Sequence, residues 1–259
     1  MADDSSVRVL ERACQVLDCF TADTPRLRIS DIRRRTELPP TTIGRIVKTL
    51  VAEELLQRDG DFYRVGLRVL VWTAPAAAGS DLMAAAAPVV EQLRDYTKET
   101  TGLYIRQGAN RVVVVVSLST YSVVYRAQVG QILPLHSGAA GKVFMAHDPS
   151  ALDAALRKGL TAFTPKTITK ESDLREQLAH VRSQGWAFAS EENEVGLNSI
   201  AVPVLDPTGQ VVGALAAGGP SFRLTREVAR AVAPTMVDAG LSLSKRLGFT
   251  GASTASVIE

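Results

Sequence analysis

Thr41, Thr42, Arg45 and Lys48 fall close together in the stretch RRRTELPPTTIGRIVKTL, residues 33–50, and their chemistry suits nucleic acid. A guanidinium can bond the edge of guanine, hydroxyls can bond phosphate or base, and an ammonium offsets phosphate charge. Projected at about 100° per residue, Ile43, Ile46, Val47, Leu50 and Val51 share one side of a helix, and Thr41, Arg45 and Lys48 share the other. The apolar side must pack, which leaves the polar side free to enter a DNA major groove. An ordinary solvated helix face is the alternative. Around this stretch, residues 26–48 carry seven basic against two acidic side chains, a local excess of +5 in a chain whose formal net charge is only +2. That is a footprint suited to phosphate contact, with Arg33 and Arg34 beside the helix and Arg58 and Arg64 on a following hairpin as further contacts. Arg33 to Arg35 taken alone also fit a solvated charge run.

A second constellation is HSGAAGK, residues 136–142, where small residues run into a helix start. Main-chain N–H groups of Ala139 and Ala140 can there face a carboxylate, with the positive end of the helix behind them. It is not a phosphate-binding Walker loop, because His136 stands where the first glycine is required. A tight packing turn is the other reading. His136 and Ser137 invite a comparison with Ser/His catalysis, but adjacent residues are poorly placed to bond one another, and neither G-x-S-x-G nor H-E-x-x-H occurs. A small-molecule enzyme with an accessory helical domain is therefore the alternative function and not the favoured one. Cys14 and Cys19 point to different sides of one helix, and the three histidines are scattered, so neither a disulfide, a zinc site nor a cofactor is expected.

The elements that must position these groups follow from pattern and punctuation. Val7 to Phe20 repeats apolar residues at helical spacing. Ser30 is expected to cap a helix through Thr36, Leu38 before Pro39 is pushed to extended backbone, and Pro40 suits the first turn of the next helix. LLQRDGDFYRVG reads as a hairpin, or wing, around Asp59-Gly60. Val65 to Ala78 reads as a connecting helix broken near Pro75 and Gly79, and Asp81 as the cap of a helix to about Lys98 that Pro88 can kink. LYIRQ, RVVVVVSL and YSVVYRA read as three strands, with Val112 to Val116 buried on both faces. Helices are expected at 138–146, 149–158, 171–184 and 225–247, and strands SIAVPVL and VVGALAA flank the turn at 206–209. An antiparallel sheet flanked by helices, in an α+β chain, accounts for this order.

With 259 residues, 46% hydrophobic and 22% charged, the chain reads as globular and long enough for two domains, not as disordered or fibrous. No apolar run approaches a membrane span and the start MADDSS has no signal-peptide core, so a cytoplasmic protein with no membrane partner is expected.

VLERACQVLDCF, ISDIRRRTELPPTTIGRIVKTLVAEELLQRD and the hairpin together resemble the DNA-binding domain of the IclR family of bacterial transcription regulators. RAQVGQILPLHSGAAGKVFMA, TPKTIT and EENEVGLNSIAVPVLDPTGQVVGALAAGGP resemble that family's effector-binding domain, so the likeness spans about residues 7–247. It implies a winged helix-turn-helix at 1–64, a linker helix at 65–79 and a GAF-like effector-binding domain at 80–249, and the Ser/Thr/Gly-rich end at 250–259 is expected to be a loose tail. The likeness also implies an effector pocket drawing on Tyr125, Ala189, Ser199, Ala216 and Gly218. Where some family members that bind a small polar acid carry an acidic residue and two serines, this chain has Ala189, Ala216 and Gly218. A wall so poor in polar groups would leave a tiny hydrated acid without replacement for its lost water bonds, so a bulkier, partly apolar carboxylate is expected. Gly44 also departs from the larger residue usual in the recognition helix. One winged module reads only a short half-site, so a homodimer, or a dimer of dimers, on a pseudo-palindromic double-stranded operator is expected.

Overall fold

The computed structural model describes residues 7–21, 24–78 and 81–251; the tail expected to be loose lies, from Ala252 onward, outside them. The chain divides into two units, Met1–Ser80 and Asp81–Glu259.

The first unit runs α1 (Arg8–Leu17), α2 (Ile29–Thr36), α3 (Pro40–Ala52), β1 (Leu56–Asp59), β2 (Phe62–Val65) and α4 (Arg68–Ala78). Its core gathers Val16, Ile32, Ile43, Ile46, Val47, Leu50 and Leu56. Each such side chain contributes about 1.5–3 kcal/mol on full burial, which is what holds so small a unit together. Ser30 does not cap α2. The helix begins two residues earlier, with Arg28 at the cap position, and the backbone N–H of Arg28 donates to Asp31 Oδ2 at 3.0 Å. The helix stops at Glu37, which turns left-handed at φ 56°, ahead of the Leu38-Pro39 step. In the hairpin Asp59 pairs with Phe62, so Gly60 and Asp61 form the turn, with Gly60 at φ 61°. Leu27 adds a bridge to Tyr63 beside it, through paired backbone bonds of 3.0 and 2.8 Å. The connecting helix starts at Arg68, not Val65, because Val65 still pairs with Leu56 in the hairpin. It then runs through Pro75 without stopping.

The second unit runs α5 (Asp81–Thr97), β3 (Thr100–Gln107), β4 (Asn110–Ser117), β5 (Ile132–Pro134), α6 (Ala139–His147), α7 (Pro149–Lys158) and α8 (Glu171–Gln184). It continues with β6 (Ala187–Ser190), β7 (Leu197–Leu205), β8 (Val211–Pro220) and α9 (Arg226–Arg246). Six strands form one antiparallel sheet in the order β5-β4-β3-β8-β7-β6. On one face Leu103, Ile200, Val202 and Leu215 pack with residues of α5 and α9; on the other, Tyr104, Val113, Ala201, Ala214 and Ala216 pack with α6, α7 and α8. Strand side chains alternate between faces, so β7 and β8 present bulky residues to one layer and mostly alanines to the other. The alanine face is where room for a ligand can exist.

Two strand expectations are corrected. YSVVYRA is not a strand: its backbone leaves the sheet, tied to β3 by Thr100 Oγ1 donating to the carbonyl of Tyr125 at 2.7 Å, and the short β5 takes the edge beside β4 instead. Val112 to Val116 is not buried throughout, since only Val113 is fully enclosed and its neighbours are half-buried near the sheet edge.

Candidate functional sites

On α3, Ile43, Ile46, Val47 and Leu50 are buried while Thr41, Gly44, Arg45 and Lys48 are exposed, so the helix presents one polar face to solvent. Thr42 is half-buried and turns toward α1, lining a groove with Val9, Arg12 and Arg45. Arg33 is exposed at the end of α2, and Arg34, also exposed, pairs with Asp31 at 2.8 Å. Arg35 is a strut, donating to the carbonyl of Cys19 at 2.6 Å and to Thr24 Oγ1 at 3.0 Å. On the wing, Arg58 Nε donates to the carbonyl of Gly60 at 2.9 Å, and Arg64 donates twice to Gln57 Oε1 across the strand pair. Both therefore hold their guanidinium groups in fixed positions on exposed strands. Arg26 and Arg28 stack over Phe62 at 4.9 and 4.7 Å, fastening the wing to the start of α2.

In the second unit all seven residues singled out from the sequence, Tyr125, Ala139, Ala140, Ala189, Ser199, Ala216 and Gly218, line one pocket on the alanine face of the sheet. Ala189 pairs with Ser199 and Ser199 with Gly218, so these three form a row across β6, β7 and β8. At Gly218 a Cβ would stand 3.0 Å from Tyr125 Cδ1, so the absent side chain makes room for that ring. The head of α6 differs from the open seat expected. Ala139 N–H donates to Ser199 Oγ at 3.2 Å and Gly138 N–H to Glu192 Oε2 at 3.3 Å, so the protein supplies acceptors of its own there.

Among the polar and charged lining residues, Tyr104, Arg111, Glu192 and Asn193 were not singled out from the sequence. Glu192 is spent inward. Its Oε1 pairs with Lys142, fully buried on α6, whose Nζ also donates to Gln177 Oε1 at 2.5 Å and to the carbonyl of Phe188 at 3.3 Å. Arg111, 4% exposed, donates through Nη1 to the carbonyl of Pro134, lies 5.9 Å over the ring of Tyr104, and has no partner for Nε. Burial lowers its pKa from the ordinary value. Tyr104 and Tyr125 lie side by side in the wall, and burial pushes both phenols upward. A signal for Arg111 was present in the sequence: it has the same parity as Val113, the inward valine of the strand.

Neither half of the His136-Ser137 pair serves the other. The His136 ring bonds the carbonyl of Thr161 at 2.9 Å and stacks on Phe163, while Ser137 Oγ donates to Asn193 Oδ1 at 3.0 Å. Cys14 and Cys19 are free thiols. Among the described residues no group of His, Cys, Asp or Glu converges to hold a metal ion, and no helix is long and apolar enough to cross a membrane.

Residues 9–60 match the IclR helix-turn-helix domain, and residues 75–245 match the bacterial transcriptional regulator IclR C-terminal domain. The chain belongs to the IclR family of transcriptional regulators. The HTH-type transcriptional regulator XynR of Escherichia coli (strain K12) is 30% identical to it over 247 residues, covering 94% of this chain and 98% of that protein. The HTH-type transcriptional repressor AllR of the same strain is 31% identical over 247 residues, covering 93% and 91%. Among solved structures, an IclR transcriptional regulator from Alicyclobacillus acidocaldarius superposes with a TM-score of 0.83 at 25% identity, covering 94% of this chain and all of that one. An IclR homolog from Microbacterium hydrocarbonoxydans complexed with 4-hydroxybenzoate superposes with a TM-score of 0.75 at 28% identity, covering 92% and 98%. This IclR-family chain is thus a DNA-binding transcriptional regulator with an effector-type domain, built on the α+β fold described above.

Proposed function

We propose that this regulator changes its hold on DNA when its second unit binds a small organic acid with an apolar or aromatic part. The observation that carries the effector class is the row Ala189, Ser199 and Gly218 with Ala216 beside it, where Ser199 is the one polar side chain, facing Tyr104 and Tyr125. Such a wall offers dispersion contact to a ring or alkyl group and few hydrogen bonds to a compact polar acid. The Microbacterium relative, complexed with 4-hydroxybenzoate, supports the same class. The effector's body rests on Tyr125, Ala189, Ala216 and Gly218, and its acid faces Ala139, Ala140 and Ser199.

On the DNA side, Thr41, Arg45 and Lys48 of α3 read or hold the major groove, with Thr42 at the edge of that face. Arg33 and Arg34 grip the backbone from α2, as do Arg58 and Arg64 from the wing. The regulator works in the cytoplasm as a homodimer or dimer of dimers on a pseudo-palindrome. The exposed apolar side chains Val9 and Leu10 on α1 and Leu70, Val71 and Trp72 on α4 support association of copies through the first unit.

Calorimetric titration with paired small and aromatic acids tests the effector class; preference for compounds the size of glyoxylate or pyruvate refutes it. Mobility shifts over a salt series test the DNA face. Arg45→Ala loses about 1–3 kcal/mol on operator DNA if it contacts a base, and equal losses on operator and random DNA refute base reading. Ser199→Val impairs the effector response and leaves DNA affinity without effector unchanged.

A further inference from the structure

Arg111 is an unusual occupant for a ligand pocket wall made mostly of tyrosine, leucine, alanine and glycine, with Ser199, Asn193 and Glu192 as its other polar members. It is the one cation among the lining residues and Glu192 the one anion, and Glu192 is already neutralised by Lys142. Among the described residues no carboxylate forms an ion pair with Arg111, and its Nε is a buried donor with no acceptor. A buried guanidinium left in that condition costs free energy that a bound anion would recover, because charge–charge attraction is strong where water is excluded. The direction of the group is also informative. A Cβ on Gly138 would lie 2.7 Å from Arg111 Nη2, so the guanidinium reaches the head of α6, beside the positive end of the helix, where the N–H groups of Gly138 and Ala139 already bond Glu192 and Ser199. The left-handed backbone of Gly138, at φ 97°, and its missing side chain are what let the arginine come so near.

We propose that Arg111 is the counter-ion of the effector, seating a single carboxylate between its guanidinium and the start of α6, and that the pocket therefore selects monocarboxylates whose far end is uncharged. This rests on the effector reading above and sharpens it by fixing the charge and the direction of the ligand. One unneutralised cation in the wall matches one negative charge. A second carboxylate on the ligand would meet no second unpaired cation in the wall, only neutral groups such as Ser199, Asn193 and the tyrosines, which replace its water in part.

The test is calorimetry on the full chain and its Arg111→Met and Arg111→Lys variants with benzoate, benzamide, terephthalate and pyruvate, with urea melts of each protein free of ligand. The wild type should prefer benzoate to both benzamide and terephthalate by about tenfold or more, as loss of a charge-assisted bond implies. Arg111→Met should bring benzoate down to the level of benzamide, and Arg111→Lys should recover part of the difference. Because the arginine is a charge awaiting a partner, Arg111→Met should unfold at the same or higher urea concentration than wild type in the absence of ligand. Equal binding of benzoate and benzamide by the wild type overturns the proposal. So does benzoate affinity that survives in Arg111→Met, whether or not that variant is less stable. Should Arg111→Met prove less stable and bind benzoate poorly, Arg111→Lys decides: retained preference for acid over amide supports the proposal, and its loss refutes it. A wild type that prefers pyruvate, with that binding lost in Arg111→Met, overturns the apolar effector and leaves the counter-ion standing.

Discussion

Gly44 sits in the middle of α3, exposed, with nothing within 4 Å of where a Cβ would be. Gly44→Ala therefore adds a methyl group that meets no neighbour, and the helix-propensity difference of about 0.8–1.0 kcal/mol should be realised almost in full. In a unit of this size, about 1 kcal/mol corresponds to a rise in Tm of about 4–8 °C. The two tryptophans, Trp72 and Trp186, lie one in each unit. In a Trp186→Phe background the fluorescence of Trp72 on α4 then follows the first unit alone during thermal melting. The same protein is assayed for operator DNA by mobility shift. Higher stability with weaker operator binding shows that the glycine is kept for close approach of the helix to DNA. Higher stability with unchanged binding shows that the position faces solvent even in the complex. An unchanged or lower Tm would refute the reasoning, since the alanine would have to meet something that the geometry of α3 does not contain.

Gly141 in α6 should respond in the opposite sense. A Cβ there would overlap the carbonyl of Leu135, so Gly141→Ala should cost about 1–3 kcal/mol in a urea melt despite the better helix former. Lys142→Met should cost about 3–5 kcal/mol because it strands the carboxylate of Glu192 in the interior, and Lys142→Met/Glu192→Gln should recover much of that loss. His136 and His147 have their pKa values lowered by burial from the usual 6.5. The unfolded chain therefore takes up those protons first, so their contribution is complete above about pH 6.5 and erodes as the pH falls below it. Urea midpoints at pH 7.5 and 5.5 should differ less for His136→Phe/His147→Leu than for wild type.

The exposed polar face of α3 was legible because it depends on local periodicity: Ile43, Ile46, Val47 and Leu50 declare the buried side of α3, and the opposite side follows. The pairing of SIAVPVL with VVGALAA was equally local, announced by the Asp-Pro-Thr-Gly turn between them. What escaped reading was set by distant partners. The short β6, Ala-Phe-Ala-Ser, has little intrinsic strand preference and is a strand because β7 offers it an edge. YSVVYRA has every local mark of a strand, yet β5 occupies the place beside β4 and Thr100 holds Tyr125 elsewhere. The cap of α2 moved from Ser30 to Arg28, whose backbone N–H is held by Asp31 one turn on, a choice that pattern alone does not rank. Glu192 and Lys142 lie far apart in the chain, so their pairing depends on how α6 meets the turn after β6, and only the assembled unit reveals it.

The line Ala189, Ser199, Gly218 has a bearing on how such a regulator diversifies. These positions stand side by side on three neighbouring strands whose main-chain ladders do not depend on what their side chains are. A single codon change at Ala189 or Ser199 can change the hydroxyl, methyl or acid facing this chamber without touching the ladders, whereas at Gly218 the ring of Tyr125 must give way first. If this line does face the effector, as proposed, sister proteins can acquire new metabolites to sense while inheriting the same architecture.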